Sequence, residues 1–184
     1  MDQEKKWIKQ LQKNIKASVA NDLVAKYYKE IYSFCYKQTL DADLSLDLTQ
    51  DIFMSALQSI GQYNNQKASF RTWLYKIASN RLVDYYRSKS YRYAQLEQPM
   101  EEDQFEDKYD LTLSLEYKED YARVTAYINK LDVRSQQVIR LKLFGEYTLQ
   151  EIAEIEVLPL STVKTRYYSA LRWVRSKMEA DRLE

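Results

Sequence analysis

The residue types that carry covalent catalysis are scarce in this chain. Its 184 residues include no histidine and a single cysteine, Cys35, so the commonest general base is missing, and Cys/His nucleophiles and structural zinc clusters are excluded. Neither a glycine-rich phosphate loop nor a G-x-S-x-G elbow occurs. Carboxylates crowd the run "EEDQFED", yet that run has the composition of a linker, a poor platform for preorganised acid–base chemistry. What recurs instead is a pattern suited to noncovalent work. In "ASFRTWLYKIASNRLVDYYRSKSYR", from Ala68 to Arg92, the rings of Phe70, Trp73, Tyr75, Tyr85, Tyr86 and Tyr91 interleave with Arg71, Lys76, Arg81, Arg87, Lys89 and Arg92. Rings stack on exposed bases and cations track phosphates, so the mixture describes a surface that holds a nucleic-acid strand. A binding protein needing no cofactor and no metal is expected, not an enzyme.

The elements that must position these residues read as helices. Two glycines, two prolines and apolar residues at helical spacing almost throughout predict an all-α protein. Four helices are expected in the N-terminal block. Trp7, Ile8, Leu11 and Ile15 form one apolar stripe, and Leu23, Val24, Tyr27, Ile31 and Phe34 a second. Asp43 is expected to cap a third helix that carries Leu44, Leu48, Ile52, Leu57 and Ile60 and stops near Gly61. The polar "QYNNQKAS" reads as a loop, with Ser69 capping the basic aromatic helix that follows. Phe70 and Trp73 share core spacing with Leu74 and Ile77, so packing competes with stacking there. Adjacent Tyr85 and Tyr86 point in different directions, and at most one lies on a given face.

The C-terminal block has informative punctuation. A helix is expected from about Leu113 to Leu131 and another ending at Phe144 and Gly145. A short helix capped by Thr148 carries Ile152 and Ile155, a turn runs from Val157 to Pro159, and a last helix begins at Leu160. Proline suits that position because a helix's first amides have no intrahelical acceptor. Short helix, tight turn and longer basic helix make the helix-turn-helix pattern. Lys164, Thr165, Tyr168 and Arg172 fall near one exposed face, while Val163, Ala170, Leu171 and Val174 are available for packing. On these features DNA binding competes with a plain helical hairpin.

A net charge of +1 conceals an uneven distribution. Residues 1–95 hold 15 basic and 9 acidic groups, 96–120 hold 2 and 10, and 121–184 hold 11 and 8. Two basic blocks therefore flank an acidic one, "LEQPMEEDQFEDKYD" and onward, with Pro99 and little periodicity, whose first half reads as a linker. The division expected is a helical domain over 1–94, an acidic linker over 95–111 and a helix-turn-helix domain over 112–184. The linker is either a solvated connection or an electrostatic shield over a basic face. Cys35, within "IYSFCY", is expected to be a buried thiol. The opening "MDQEKKWIKQLQK" is too polar for a signal peptide, and no apolar run approaches a membrane span. A cytoplasmic protein without direct membrane insertion is expected.

Two separated segments resemble one family when taken together. "LDLTQDIFMSALQSI" with "FRTWLYKIASNRLVDYYR", and then "YTLQEIAEIEVLPLSTVKTRYYSALRWVR", are similar to the two promoter-binding regions of the extracytoplasmic-function (ECF, group IV) sigma factors of the sigma-70 family. The likeness runs from about Ile15 to Met178, and the acidic stretch falls where that family has its inter-domain linker. It implies a sigma factor that binds core RNA polymerase, reads two promoter elements and nucleates melting. In the family the helix around "DLTQDIFMSAL" docks on the clamp helices of the largest polymerase subunit, which places Leu48, Gln50, Asp51 and Met54 in that contact. The loop "YNNQKAS" is implied to hold an extruded base of the minus-ten element, lined by Tyr63, Asn64, Lys67 and Ser69. Phe70 and Trp73 stand beside it, Asn80 reaches base edges, and Lys76, Arg81 and Arg87 reach phosphates. Unstacking costs a few kcal/mol per step, and stacking on an aromatic returns about 1 to 3 kcal/mol per base, which accounts for the interleaved rings.

The resemblance further implies that the C-terminal domain reads the minus-thirty-five element in the major groove. Lys164, Thr165, Tyr168 and Ser169 match base-proximal positions, with Ser161, Thr162 and Arg166 at phosphates. Arg172 and Arg175 fall either to the polymerase flap or to the DNA backbone. The loop departs from many family members in carrying two asparagines where a glycine-containing run is usual, which leaves its base preference open. Such proteins are commonly held by an anti-sigma factor, so that partner is expected too. Two readings compete with this one. A stand-alone helix-turn-helix regulator that binds duplex DNA without being a polymerase subunit leaves the aromatic basic helix without a purpose. A helical interaction protein would owe nothing to Lys164 or Arg166 in DNA affinity.

Overall fold

The computed structural model describes residues 3–88 and 115–181, which hold helices joined by turns and loops and, among the described residues, no strand, so the all-α expectation holds. Lys89, Tyr91, Arg92 and the linker assigned to 95–111 lie outside the described residues. The N-terminal group is α1 (Gln3–Lys13), α2 (Ala17–Thr39), α3 (Ala42–Ser59), a 3-10 turn (Ile60–Gln62) and α4 (Phe70–Arg87). The C-terminal group is α5 (Leu115–Ile128), α6 (Val133–Leu143), α7 (Leu149–Glu156) and α8 (Leu160–Asp181).

Local chemistry sets most boundaries. Ser69 caps α4, its hydroxyl accepting from the Thr72 amide at 3.1 Å, as its position ahead of the aromatic run predicts. Thr148 and Glu151 close a reciprocal capping box on α7, satisfying amide donors that a helix start leaves unpaired. At α3 the expectation needs correction: Asp41, not Asp43, is the cap, accepting from the Leu44 amide at 2.9 Å. The chain reverses at Leu40, whose φ of 54° is left-handed, so the extended residue that can cap is the next one. Asp43 sits in the first turn, where its charge still favours the positive helix end. The first apolar stripe also ends early. Helix α1 stops at Lys13, which leaves Ile15 55% exposed instead of packed.

The core is one continuous apolar cluster. Leu11, Leu23, Ile31, Phe34, Cys35, Ile52, Leu74 and Leu82 fill the N-terminal bundle, and Ile128, Ile139, Leu141, Ile152 and Val163 fill the C-terminal one. Each such side chain contributes about 1.5 to 3 kcal/mol on leaving water. Cys35 is buried as expected, and burial pushes its thiol up to about 12. The two groups meet directly: α4 lies against α6 and α7, and α2 against α5.

Candidate nucleic-acid interface

The loop between the 3-10 turn and α4 is closed by its own backbone. The Lys67 amide donates to the Asn64 carbonyl at 3.1 Å, and the Asn64 side-chain oxygen accepts from the Gln66 amide at 2.8 Å. The Tyr63 hydroxyl donates across the loop to the Ala68 carbonyl at 3.0 Å. Beneath it Tyr63, Phe70 and Trp73 form a ring triad with centroids 5.4 to 5.6 Å apart. This arrangement divides the expected lining residues. Asn64 and Lys67 stand exposed on the rim, whereas Tyr63 and Phe70 are buried and form the floor. Trp73 is half-buried at its edge, and Ser69 is engaged as the helix cap. Phe70 is therefore packed in this conformation and offers no face for a base.

Farther along α4 the basic residues diverge. Arg81 and Arg87 are exposed, and the Arg81 guanidinium donates to the Ser55 hydroxyl at 2.6 and 3.0 Å. Lys76 and Asn80 instead turn into the C-terminal group. The Lys76 ammonium donates to the Ile155 carbonyl at 2.8 Å, at the end of α7, and the Asn80 carboxamide oxygen accepts from Gln137 at 2.7 Å. Two residues expected at the DNA are thus engaged within the chain.

Around these two bonds lies an interface that the sequence did not announce. Arg140 is wholly buried; its guanidinium donates to the Gln38 oxygen at 2.6 Å and to Asn129, and its charge lies 4.7 Å from the Tyr86 ring centre. Tyr147 packs edge-on to Tyr75 at 5.2 Å. Arg71, paired with Glu30, lies over both rings at 4.6 and 4.9 Å. Burial first, and then the Glu30 charge, push the Tyr75 phenol far up; burial takes Tyr147 to about 12. Glu156, beside Lys76, is also pushed up by burial, with the cations Lys76 and Arg134 partly opposing. The only sequence signal was a basic residue on the buried arc of "VIRLKLF", and its partner Gln38 is 102 residues away.

Helix α8 presents its other face outward. Ser161, Lys164, Thr165, Tyr168 and Ser169 are exposed along one stripe, with Thr162 half-buried beside it. Val163, Ala170 and Val174 pack inward, as their spacing predicts. The turn before α8 passes through Val157, left-handed at φ 55° and 82% exposed. Arg166 differs from its neighbours: it pairs with Asp132 at 3.2 Å. Burial raises the Asp132 carboxyl, but its bonds from Ser135 and the Arg166 charge outweigh that and hold it below the usual carboxylate range.

The third candidate surface is on α3. Gln50, Asp51 and Met54 face outward, Met54 with 56% of its surface exposed, while Leu48 is buried in the core. An exposed methionine among polar residues suits docking against another protein. Among the described residues no helix is long and apolar enough to cross a membrane.

Comparison with known proteins assigns both helical groups. Residues 23–92 match the model for sigma-70 region 2, and residues 121–174 the model for sigma-70 region 4. The chain is 32% identical over 166 residues to RNA polymerase sigma factor YlaC of Bacillus subtilis, covering 89% of this chain and 94% of that one. It is 32% identical over 186 residues to ECF RNA polymerase sigma factor SigW of the same organism, covering 95% and 96%. Among solved structures, the sigma factor RpoE in complex with the anti-sigma factor NepR from Bartonella quintana shares the fold with a TM-score of 0.56. That match has 18% identity and covers 88% of this chain and 97% of that one.

Proposed function

This chain belongs to the extracytoplasmic-function sigma factors of the sigma-70 family, which bind core RNA polymerase and direct it to promoters, and we propose how its two regions divide that work. The N-terminal domain, over 1–94, docks on the polymerase clamp helices through the α3 face of Gln50, Asp51 and Met54, with Leu48 setting the helix from beneath. Its 64–69 loop takes an extruded base of the minus-ten element, and Arg81 and Arg87 hold the adjoining phosphates. The domain over 112–184 reads the minus-thirty-five duplex through Lys164, Thr165, Tyr168 and Ser169. Ser161, Thr162 and Arg166 contact the backbone there, and Arg166 exchanges Asp132 for a phosphate.

The observation that carries this reading is the loop closed by its own hydrogen bonds, with exposed Asn64 and Lys67 on its rim and half-buried Trp73 at the edge of the packed rings beneath. Capturing a flipped base repays part of the unstacking that opens the duplex. Lys76 and Asn80 join that site only when α4 parts from α6 and α7. An anti-sigma factor, such as the one bound to RpoE of Bartonella quintana, would act here by holding the two regions together.

The test is abortive initiation with core polymerase, paired with permanganate footprinting of melted thymines. Asn64→Ala and Lys67→Ala are expected to lower strand opening about tenfold, the scale of removing one base or phosphate interaction, with duplex binding changed less than about twofold. Equal losses in melting and duplex binding would show that the loop is not the capture site.

A further inference from the structure

Helix α1 lies outside the matched region 2, which begins at residue 23, and its two faces are sharply different. Trp7, Ile8 and Leu11 pack inward, and its one described acid, Glu4, is turned to Lys26 and Tyr27. The opposite face carries Lys5, Lys6, Lys9 and Lys13, all exposed. At 3.6 residues per turn these four fall within an arc of about 100°. Among the described residues none of them is in an ion pair. Lys6, Lys9, Gln10, Gln12 and Lys13 line a shallow open depression.

What distinguishes this face from an ordinary solvated one is where it is anchored. The Gln12 carboxamide donates to the Ile60 carbonyl at 3.1 Å and to the Tyr63 carbonyl at 2.9 Å. Those carbonyls belong to the 3-10 turn and to the residue that begins the capture loop. Lys9 and Lys13, three residues before and one after Gln12, therefore belong to a helix tied to the start of that loop. Four unpaired cations beside a strand-binding pocket complement phosphates, which follow one another along a strand at intervals a helix face can match.

We propose that α1 is a phosphate-binding ridge, in which Lys9 and Lys13 hold the displaced single strand on the side of the captured base opposite α4. This rests on the strand-capture reading above. The strand is then gripped on both sides of the flipped base, by Arg81 and Arg87 on α4 and by the α1 lysines, which resists reannealing more than either grip alone.

The test uses holoenzyme reconstituted with core polymerase and two promoter DNAs, one fully duplex and one with an unpaired minus-ten bubble. Lys9→Gln/Lys13→Gln is expected to weaken bubble binding about tenfold and leave duplex binding unchanged. The log–log salt slope should fall by about 1.4, because each single-strand phosphate neutralised contributes about 0.7. Cys35 is buried and its thiol is poorly ionised, so Lys13→Cys provides a selective site for a tethered cleavage reagent. Cuts are expected in the non-template strand at the edge of the minus-ten element. If wild-type holoenzyme does not prefer the bubble, the strand-capture reading fails and this proposal with it. If wild type prefers the bubble and the double variant keeps both affinity and slope, or the tethered reagent cuts nowhere near the element, this proposal alone is overturned.

Discussion

Helices α4 and α8 are both basic and amphipathic and are both proposed above to meet promoter DNA, yet only α8 presents its proposed face almost whole. The stripe from Ser161 to Ser169 on α8 is open to solvent except for Arg166 and the half-buried Thr162. On α4 the rim of the loop is open, while Lys76 and Asn80 are bonded to the C-terminal region. The difference accords with what each helix is proposed to bind. Duplex DNA offers its groove edges without deformation, so a reader of duplex can remain exposed. Single-strand capture needs rings and cations together, and a surface with that composition also suits the chain's own aromatic and amide groups.

The largest effect is expected at Arg140. Its truncation to alanine deprives buried amides of a charged donor, a loss of about 1.5 to 3 kcal/mol for each such bond. The expected result of Arg140→Ala is a lower melting temperature, an increased radius of gyration in small-angle scattering, and faster capture of bubble DNA by holoenzyme. Unchanged dimensions would mean that α4 remains covered without the arginine. At the other helix, Lys164→Ala is expected to cost about 1 to 3 kcal/mol of duplex discrimination and to leave bubble binding intact. Affinity measurements on minus-thirty-five variants check it; an equal loss on both DNAs would make Lys164 a general phosphate contact.

A smaller effect comes from pH. An unfolded tyrosine ionises near 10, whereas burial holds Tyr147 protonated to about 12. Because the folded value is the raised one, its stabilisation is complete below pH 10 and is lost as pH rises through 12. Titration of tyrosinate absorbance should therefore show late-ionising phenols whose appearance coincides with separation of the regions. Tyr147→Phe removes one of them and leaves α8 binding unaffected.

Much of this fold was legible because its determinants are local. Ser69 and Thr148 announce their helices by a hydroxyl just ahead of an apolar run, and Val163, Ala170 and Val174 announce the inner face of α8 by spacing alone. Asp41 and Asp43 defeated that reasoning, since two aspartates two residues apart both look like caps until the turn at Leu40 decides between them. Ile15 failed because periodicity does not show where a helix stops. In the candidate site, Tyr63, Asn64, Lys67 and Ser69 were expected together as lining, whereas Asn64 and Lys67 lie exposed, Tyr63 is buried with Phe70, and Ser69 serves as the helix cap. Nothing in the sequence paired Arg140 with Gln38, or Lys76 with the end of α7, because those partners are brought together only by tertiary packing.

The exposed face of α3 gives this arrangement a temporal consequence. Met54, Gln50 and Asp51 are accessible while Lys76 and Asn80 of α4 are bonded to the C-terminal region, so on the proposed assignment polymerase can be engaged before those two residues are released. Arg140, wholly buried, ties α6 to Gln38 of α2 and lies over Tyr86 of α4, so on the proposed reading parting α4 from the C-terminal region means breaking these contacts. Any binding that needs Lys76 and Asn80 is weakened in proportion to the parted fraction, about a hundredfold if one molecule in a hundred has parted. On the proposed roles, recruitment through the bare α3 face then precedes full engagement of the strand.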